Sequence, residues 1–171
     1  MTRTQAALSF APSLLAGVIG WGFLPAGAWE AGWPWGLAVL TGLVVGVAII
    51  AVEGWALAYV RGLRRLAAQT RTMLRRMPLT TWQLMLLTSL GAVAEEVLFR
   101  GVLLPAIGLV PQALLFGVLH PSFDRRTRIY PVIAFIMGLV FGALSLTGGG
   151  LWAAATAHAL VNLAAVVQAR R

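Results

Sequence analysis

The sequence predicts an all-α polytopic membrane protein of about six transmembrane helices, with an additional amphipathic helix on the cytoplasmic face. Three observations predict it. First, 60% of the 171 residues are hydrophobic and only 11% are charged, against about 25% charged in a typical soluble domain. Second, the apolar residues gather into runs, the longer of which approach the ~20 residues a helix needs to cross a hydrocarbon core. Third, the basic residues are all arginine and collect in alternate connectors, the asymmetry that orients membrane helices. There is no cysteine, which excludes disulfides and thiolate metal sites. The net charge of +8 is explained by arginines flanking spans. No basic patch is interleaved with aromatics on a soluble domain, which argues against a nucleic-acid partner.

Taken in order, span 1 covers about Ala6–Leu24. Arg3, the apolar run and Ala26-Gly27-Ala28 loosely imitate a secretory signal, but the run is long for a signal core and more spans follow, so a retained helix is expected. Span 2 covers about Trp35–Tyr59. Residues 61–77 place Leu63, Leu66, Ala67, Thr70, Met73, Leu74 and Met77 at helical spacing with arginines on the other side, the pattern of a helix lying on an anionic leaflet. Spans 3 to 6 are expected at about Leu79–Leu104, Pro111–Phe123, Pro131–Leu146 and Gly150–Val167. Gly42/Gly46 and Gly138/Gly142 are GxxxG pairs suited to close helix approach. No internal repeat is present, and one membrane domain over 1–171 suffices.

With the N-terminus inside, residues 1–5, 60–78, 122–130 and 168–171 face the cytoplasm and hold every arginine except Arg100, while the outer loops hold Glu30. Both termini are therefore expected to be cytoplasmic. The absence of lysine beside abundant arginine points to a GC-rich prokaryotic genome, hence a plasma-membrane location.

A charge at mid-membrane costs about 2.5–3.5 kcal/mol on insertion scales, so such residues face a cavity or one another. The polar residues within the spans are Glu53, Glu95, Glu96, Arg100, His120, His158 and Asn162. Glu53 lies near the cytoplasmic end of span 2 beside Trp55 and Tyr59, where a carboxylate can snorkel. Glu95, His120 and His158 lie ten, nine and eight residues from the expected outer ends of their spans, roughly 12–15 Å deep at 1.5 Å per residue. Three separate segments thus bring a carboxylate and two imidazoles to one level. Glu96 and Arg100 share a helical face and can pair. Phe116 can pack on His120, and His158 and Asn162 share a face. The constellation suits hydrolysis by activated water, with Glu95 as base, His120 holding the water, and His158 and Asn162 stabilising an oxyanion. Ser89 and Ser145 have no GxSxG context. Zinc is possible through imidazole and carboxylate but less favoured, since HExxH is absent.

The combination EExxxR (Glu95, Glu96, Arg100), FxxxH (Phe116, His120) and HxxxN (His158, Asn162) resembles the CAAX-protease/bacteriocin-processing (CPBP, or Abi) intramembrane protease family, which includes the type II CAAX prenyl proteases. The resemblance covers about residues 80–167 as a catalytic core. It implies a membrane-embedded endopeptidase without a cofactor, in which Glu95 and His120 activate water and His158 and Asn162 stabilise the oxyanion. The implied partners are the lipid bilayer and a membrane protein or lipidated peptide as substrate. Only two spans precede the core, fewer than in longer members, so a prenylated substrate stays open. Two other readings also stay open: a non-enzymatic immunity or scaffold protein that retains the motifs, and a proton-coupled transporter relaying through Glu95 and the histidines. The second is disfavoured by the lack of inverted repeats.

Overall fold

The computed structural model describes residues 2–29, 32–122, 124–125 and 127–171. Glu30 of the expected outer loop, Phe123 at the expected end of span 4 and Arg126 of the basic inner loop lie outside the described residues. Among the described residues every regular element is helical: α1 Arg3–Leu8, α2 Ala11–Gly22, α3 Trp35–Tyr59, α4 Arg61–Arg76, α5 Thr81–Glu96, α6 Leu104–Ile107, α7 Leu109–Val118, α8 Tyr130–Leu144 and α9 Gly150–Arg170, with π-helical turns at Val97–Leu103 and Ser145–Gly149.

Prolines explain where the elements depart from uniform spans. The expected first span is two helices, because the ring of Pro12 crowds the carbonyl four residues earlier, and α1 stops at that residue, Leu8. Pro105 cannot donate to Gly101, and the helix widens just before it, the Leu104 N–H reaching back to Phe99 O, an i→i−5 bond. The expected fourth span is only ten residues long and ends at Val118. His120 precedes Pro121, and a residue before proline is pushed out of α geometry. His120 therefore stands on the turn after α7, not inside a helix. Gly108 (φ 86°) separates α6 from α7 and Gly148 (φ 106°) separates α8 from α9, a left-handed conformation natural to glycine.

By length and composition, two stretches could cross a membrane: Trp35–Tyr59 and Tyr130–Arg170. The second is two helices, since non-helical backbone at Gly148 breaks it. α2 and α7 are shorter apolar helices. Large apolar side chains such as Leu15, Val18, Val44, Val47, Leu114 and Val118 are exposed.

Small residues set the helix pairs. A Cβ on Gly42 or Gly46 would meet Ala153 and Ala157 of α9, so α3 and α9 run parallel in close contact. A Cβ on Gly17 or Gly20 would collide with Ala94 or the Leu98 backbone, so α2 runs parallel to the α5 rod. Gly117 faces Pro131 and Phe135, and Gly138 faces Ala113, so α7 and α8 are antiparallel. α9 packs antiparallel to α5, with His158 meeting Glu96 and Asn162 meeting Thr88. Beneath, Ala6, Leu74, Met77, Leu79, Leu84, Val166 and Ala169 form an apolar cluster. Arg170 caps it by donating to the Met77 and Leu79 carbonyls at 3.0 and 2.9 Å. α4 exposes Arg61, Arg64, Arg65, Arg71, Arg75 and Arg76, and Arg75 ties it to α9 through the Ala169 carbonyl at 2.6 Å.

Candidate active site

The end of α5 supplies the acidic pair. One helical step of about 100° separates Glu95 from Glu96, and the two carboxylates enter different surroundings. Glu96 is fully buried. Its Oε1 accepts from Arg100 Nη1 at 3.0 Å and from His158 Nδ1 at 2.7 Å, while Oε2 has no hydrogen-bond partner among the described residues.

Arg100 is held at both terminal nitrogens, while its buried Nε has no hydrogen-bond partner among the described residues. Its Nη2 donates to Gly138 O at 3.3 Å, and its guanidinium lies 4.7 Å from the Phe116 ring centre and 5.5 Å from that of Phe141, within cation–π range. Gln112, also fully buried, donates to the same Gly138 carbonyl at 3.0 Å. Burial is expensive for a lone charge, and this network is what makes Glu96 and Arg100 tolerable there.

Glu95 faces the other way. Its Oε1 accepts from Ser13 Oγ of α2 at 2.6 Å. Its Oε2 lies 3.7 Å from His120 Nε2 and 4.0 Å from His158 Nε2. The side chains of His120, Glu95 and His158 are 20, 16 and 11% exposed, so water reaches the cluster while most of it is enclosed.

The remote ring nitrogens fix how the imidazoles present themselves. His120 Nδ1 lies 2.7 Å from Phe116 O, and a carbonyl only accepts, so Nδ1 carries the hydrogen. His158 Nδ1 is bound to a carboxylate that already takes the Arg100 hydrogen bond, so it also donates. Both rings, when neutral, therefore turn an Nε2 lone pair toward Glu95. Aromatic contacts hold them: Phe116 tilted and Tyr130 edge-on against His120 at 4.4 and 5.6 Å between ring centres, and Phe141 stacked on His158 at 5.0 Å.

Glu95, Glu96, Arg100, Phe116, His120 and His158 thus come together. Asn162 does not join them. Its Nδ2 donates to the Thr88 carbonyl at 3.3 Å, about 10 Å along α5 from Glu95 at the helical rise. Antiparallel packing of α5 and α9 puts that carbonyl nearest to it. Sequence reasoning missed Ser13, Gln112, Tyr130 and Phe141. Gln112 was legible as an amide inside an apolar run. Ser13 carried no signal beyond sharing a face with Gly17 and Gly20. Two imidazoles and a carboxylate are zinc-type donors in kind, yet among the described residues no three His, Asp or Glu are placed to hold a metal ion.

Comparison with known proteins adds a family. No solved structure matches the chain. A curated relative, the uncharacterized protein YpbD of Bacillus subtilis (strain 168), is 36% identical over 87 residues, 49% of this chain and 44% of YpbD. The match thus covers less than half of that relative's length. The profile described as type II CAAX prenyl endopeptidase Rce1-like matches residues 77–164, the segment from the start of α5 to most of α9 that carries both glutamates, both histidines and Asn162. With its all-helical fold and apolar helices, this all-α membrane protein belongs to the type II CAAX prenyl endopeptidase Rce1-like family.

Proposed function

We propose that the protein is an intramembrane endopeptidase that hydrolyses a peptide bond with water activated by Glu95. The observation that carries this reading is Glu95 Oε2 set 3.7 and 4.0 Å from the Nε2 atoms of His120 and His158. Those gaps exceed direct hydrogen-bond length, and a water lying off the line can reach each group at about 2.8 Å. The water donates one hydrogen to Glu95 Oε2 and the other to His120 Nε2, leaving a lone pair for the scissile carbonyl. Glu95 takes the proton as the C–O bond forms. His158, in its protonated form, donates from Nε2 to the developing oxyanion, with Glu96 and Arg100 behind it. Collapse of the intermediate breaks the C–N bond, and Glu95 returns the proton to the leaving amine. The products are one carboxylic acid and one amine. Asn162 is the second oxyanion donor in this reading. For that role its Nδ2 must give up the 3.3 Å bond to Thr88 O, and the ~10 Å between Thr88 and Glu95 along α5 must be closed by a shift of α9 or spanned by the bound peptide. No step passes through a metal or other cofactor.

The substrate class is a membrane-associated peptide, prenylated or simply hydrophobic. The single domain crosses the membrane six times in this reading, with 80–167 as its catalytic core, and α4 rests its arginines on the anionic cytoplasmic surface of a prokaryotic plasma membrane. The helix directions support that arrangement: α8 meets α9 antiparallel, Phe141 against His158 and Ser145 against Gly150, so α2, α5 and α8 point one way and α3, α7 and α9 the other. α7 is too short to span ~30 Å alone and is accommodated among its neighbours.

The test is cleavage of a peptide panel by detergent-purified protein, comparing a farnesylated CAAX peptide with hydrophobic unprenylated peptides, each with and without a chelator. Cleavage that vanishes in Glu95→Gln is expected. Cleavage that survives in Glu95→Gln overturns the mechanism, loss with chelator replaces it by a metal-dependent one, and a folded protein that cleaves nothing favours the immunity or scaffold reading.

A further inference from the structure

We propose that Ser13 is a positioning residue for the reaction: its hydroxyl occupies Glu95 Oε1 and thereby fixes Oε2 as the oxygen that takes the proton. The inference rests on Glu95 being the base. A free carboxylate has two equivalent oxygens, and rotation of its terminal torsion exchanges them. Here the two differ. Oε1 accepts from Ser13 Oγ at 2.6 Å, a length typical of a hydroxyl bound to an ionised carboxylate. Oε2 is the oxygen that lies 3.7 and 4.0 Å from the Nε2 atoms of His120 and His158.

The placement of Ser13 is built by its helix. Pro12 is the second residue of α2, so Ser13 lies in the first turn. A helical serine hydroxyl ordinarily bonds the carbonyl four residues back, but that residue is Ser9, in the break between α1 and α2. The hydroxyl is left to reach across. Ser13, Gly17 and Gly20 share a face, and Gly17 and Gly20 press α2 onto Ala94 and Leu98. Gly91 faces Ser13, where an added Cβ would sit 3.6 Å from Ser13 Cβ, an ordinary contact. An element outside the family-matched segment 77–164 thus completes the site.

The experiment measures kcat and KM on a peptide that the parent protein cleaves, for Ser13→Ala, Ser13→Thr, Gly91→Ala and Glu95→Gln, each checked for folding by its thermal midpoint. Removal of one hydrogen bond to a charged group should lower kcat about 10- to 100-fold in Ser13→Ala with KM nearly unchanged. Ser13→Thr keeps the donor, has room opposite Gly91, and should recover most of the rate. Gly91→Ala alters the packing without touching the hydroxyl and should match the parent. Parental kcat in Ser13→Ala beside an inactive Glu95→Gln overturns the Ser13 role alone. Equal losses in Ser13→Ala, Ser13→Thr and Gly91→Ala overturn it in favour of packing. An active Glu95→Gln overturns the base assignment, and Ser13's role with it.

Discussion

Glu95 and Glu96 are chemically identical neighbours, and their surroundings divide the work between them. Glu96 meets a guanidinium and an imidazole in a fully buried position, whereas Glu95 meets a hydroxyl and two Nε2 atoms at a partly open one. The division predicts different failures. Arg100→Ala leaves the Glu96 charge without its cation, and removing one partner of a buried ion pair costs about 3–5 kcal/mol. Arg100→Ala should therefore lower the thermal midpoint in detergent markedly, while Glu95→Gln, which keeps size and hydrogen bonding, should leave it close to that of the parent. Equal midpoints for Arg100→Ala and the parent would show that the ion pair carries no stability. In the proposed mechanism His158→Ala removes an oxyanion donor and should lower kcat by roughly 10²- to 10³-fold, the usual effect of losing one such donor. Steady-state cleavage rates check it, and a loss under threefold would remove His158 from the chemistry.

At the scale of elements, proline and glycine decide how apolar runs become helices. Trp35–Tyr59 contains neither proline nor a positive-φ glycine, and the sequence reading and α3 share the same bounds. The interrupted runs were harder. Apolar content marks each as helical, but Pro12, Pro105 and Pro121 set where the helix breaks, widens or stops, and the last of these moves His120 onto a turn. The partnership of Glu96 with Arg100 follows from an i,i+4 spacing and could be read directly. Its bond to His158 spans 62 positions and depends on how α9 docks. Ser13 and the Thr88 partner of Asn162 depend on the same docking, which composition does not encode. The docking itself depends on glycine. Gly17→Val should force α2 away from Ala94 and cost both stability and cleavage, because a Cβ there would lie 2.7 Å from the Ala94 Cα. Gly22→Ala, on the same helix but with nothing within 4 Å of the added Cβ, should change neither. Thermal midpoints and cleavage rates of the two variants make the comparison, and equal behaviour would remove α2 packing from the account.

For the whole molecule, the proposed topology of six crossings with both ends inside is open to a direct test, because the chain has no cysteine. Single cysteines can be placed without a background. With six crossings and both ends inside, Thr2→Cys, Gln69→Cys and Arg125→Cys all face the cytoplasm. These positions are exposed in the fold, so their labelling is governed by the membrane and not by burial. Ala26→Cys and Thr147→Cys, also exposed, lie at the opposite end of the bundle, beside the Trp21, Trp29 and Trp152 ring cluster that suits a membrane–water boundary. An impermeant maleimide added to intact cells should modify the second pair and spare the first three until the membrane is opened. Labelling of Gln69→Cys from outside would place the six arginines of α4 on the wrong leaflet and overturn the arginine argument for orientation. Protection of Ala26→Cys together with exposure of Thr2→Cys would invert the protein. Either result would also change the side from which a peptide reaches Glu95, since that carboxylate lies between the two ends of the bundle.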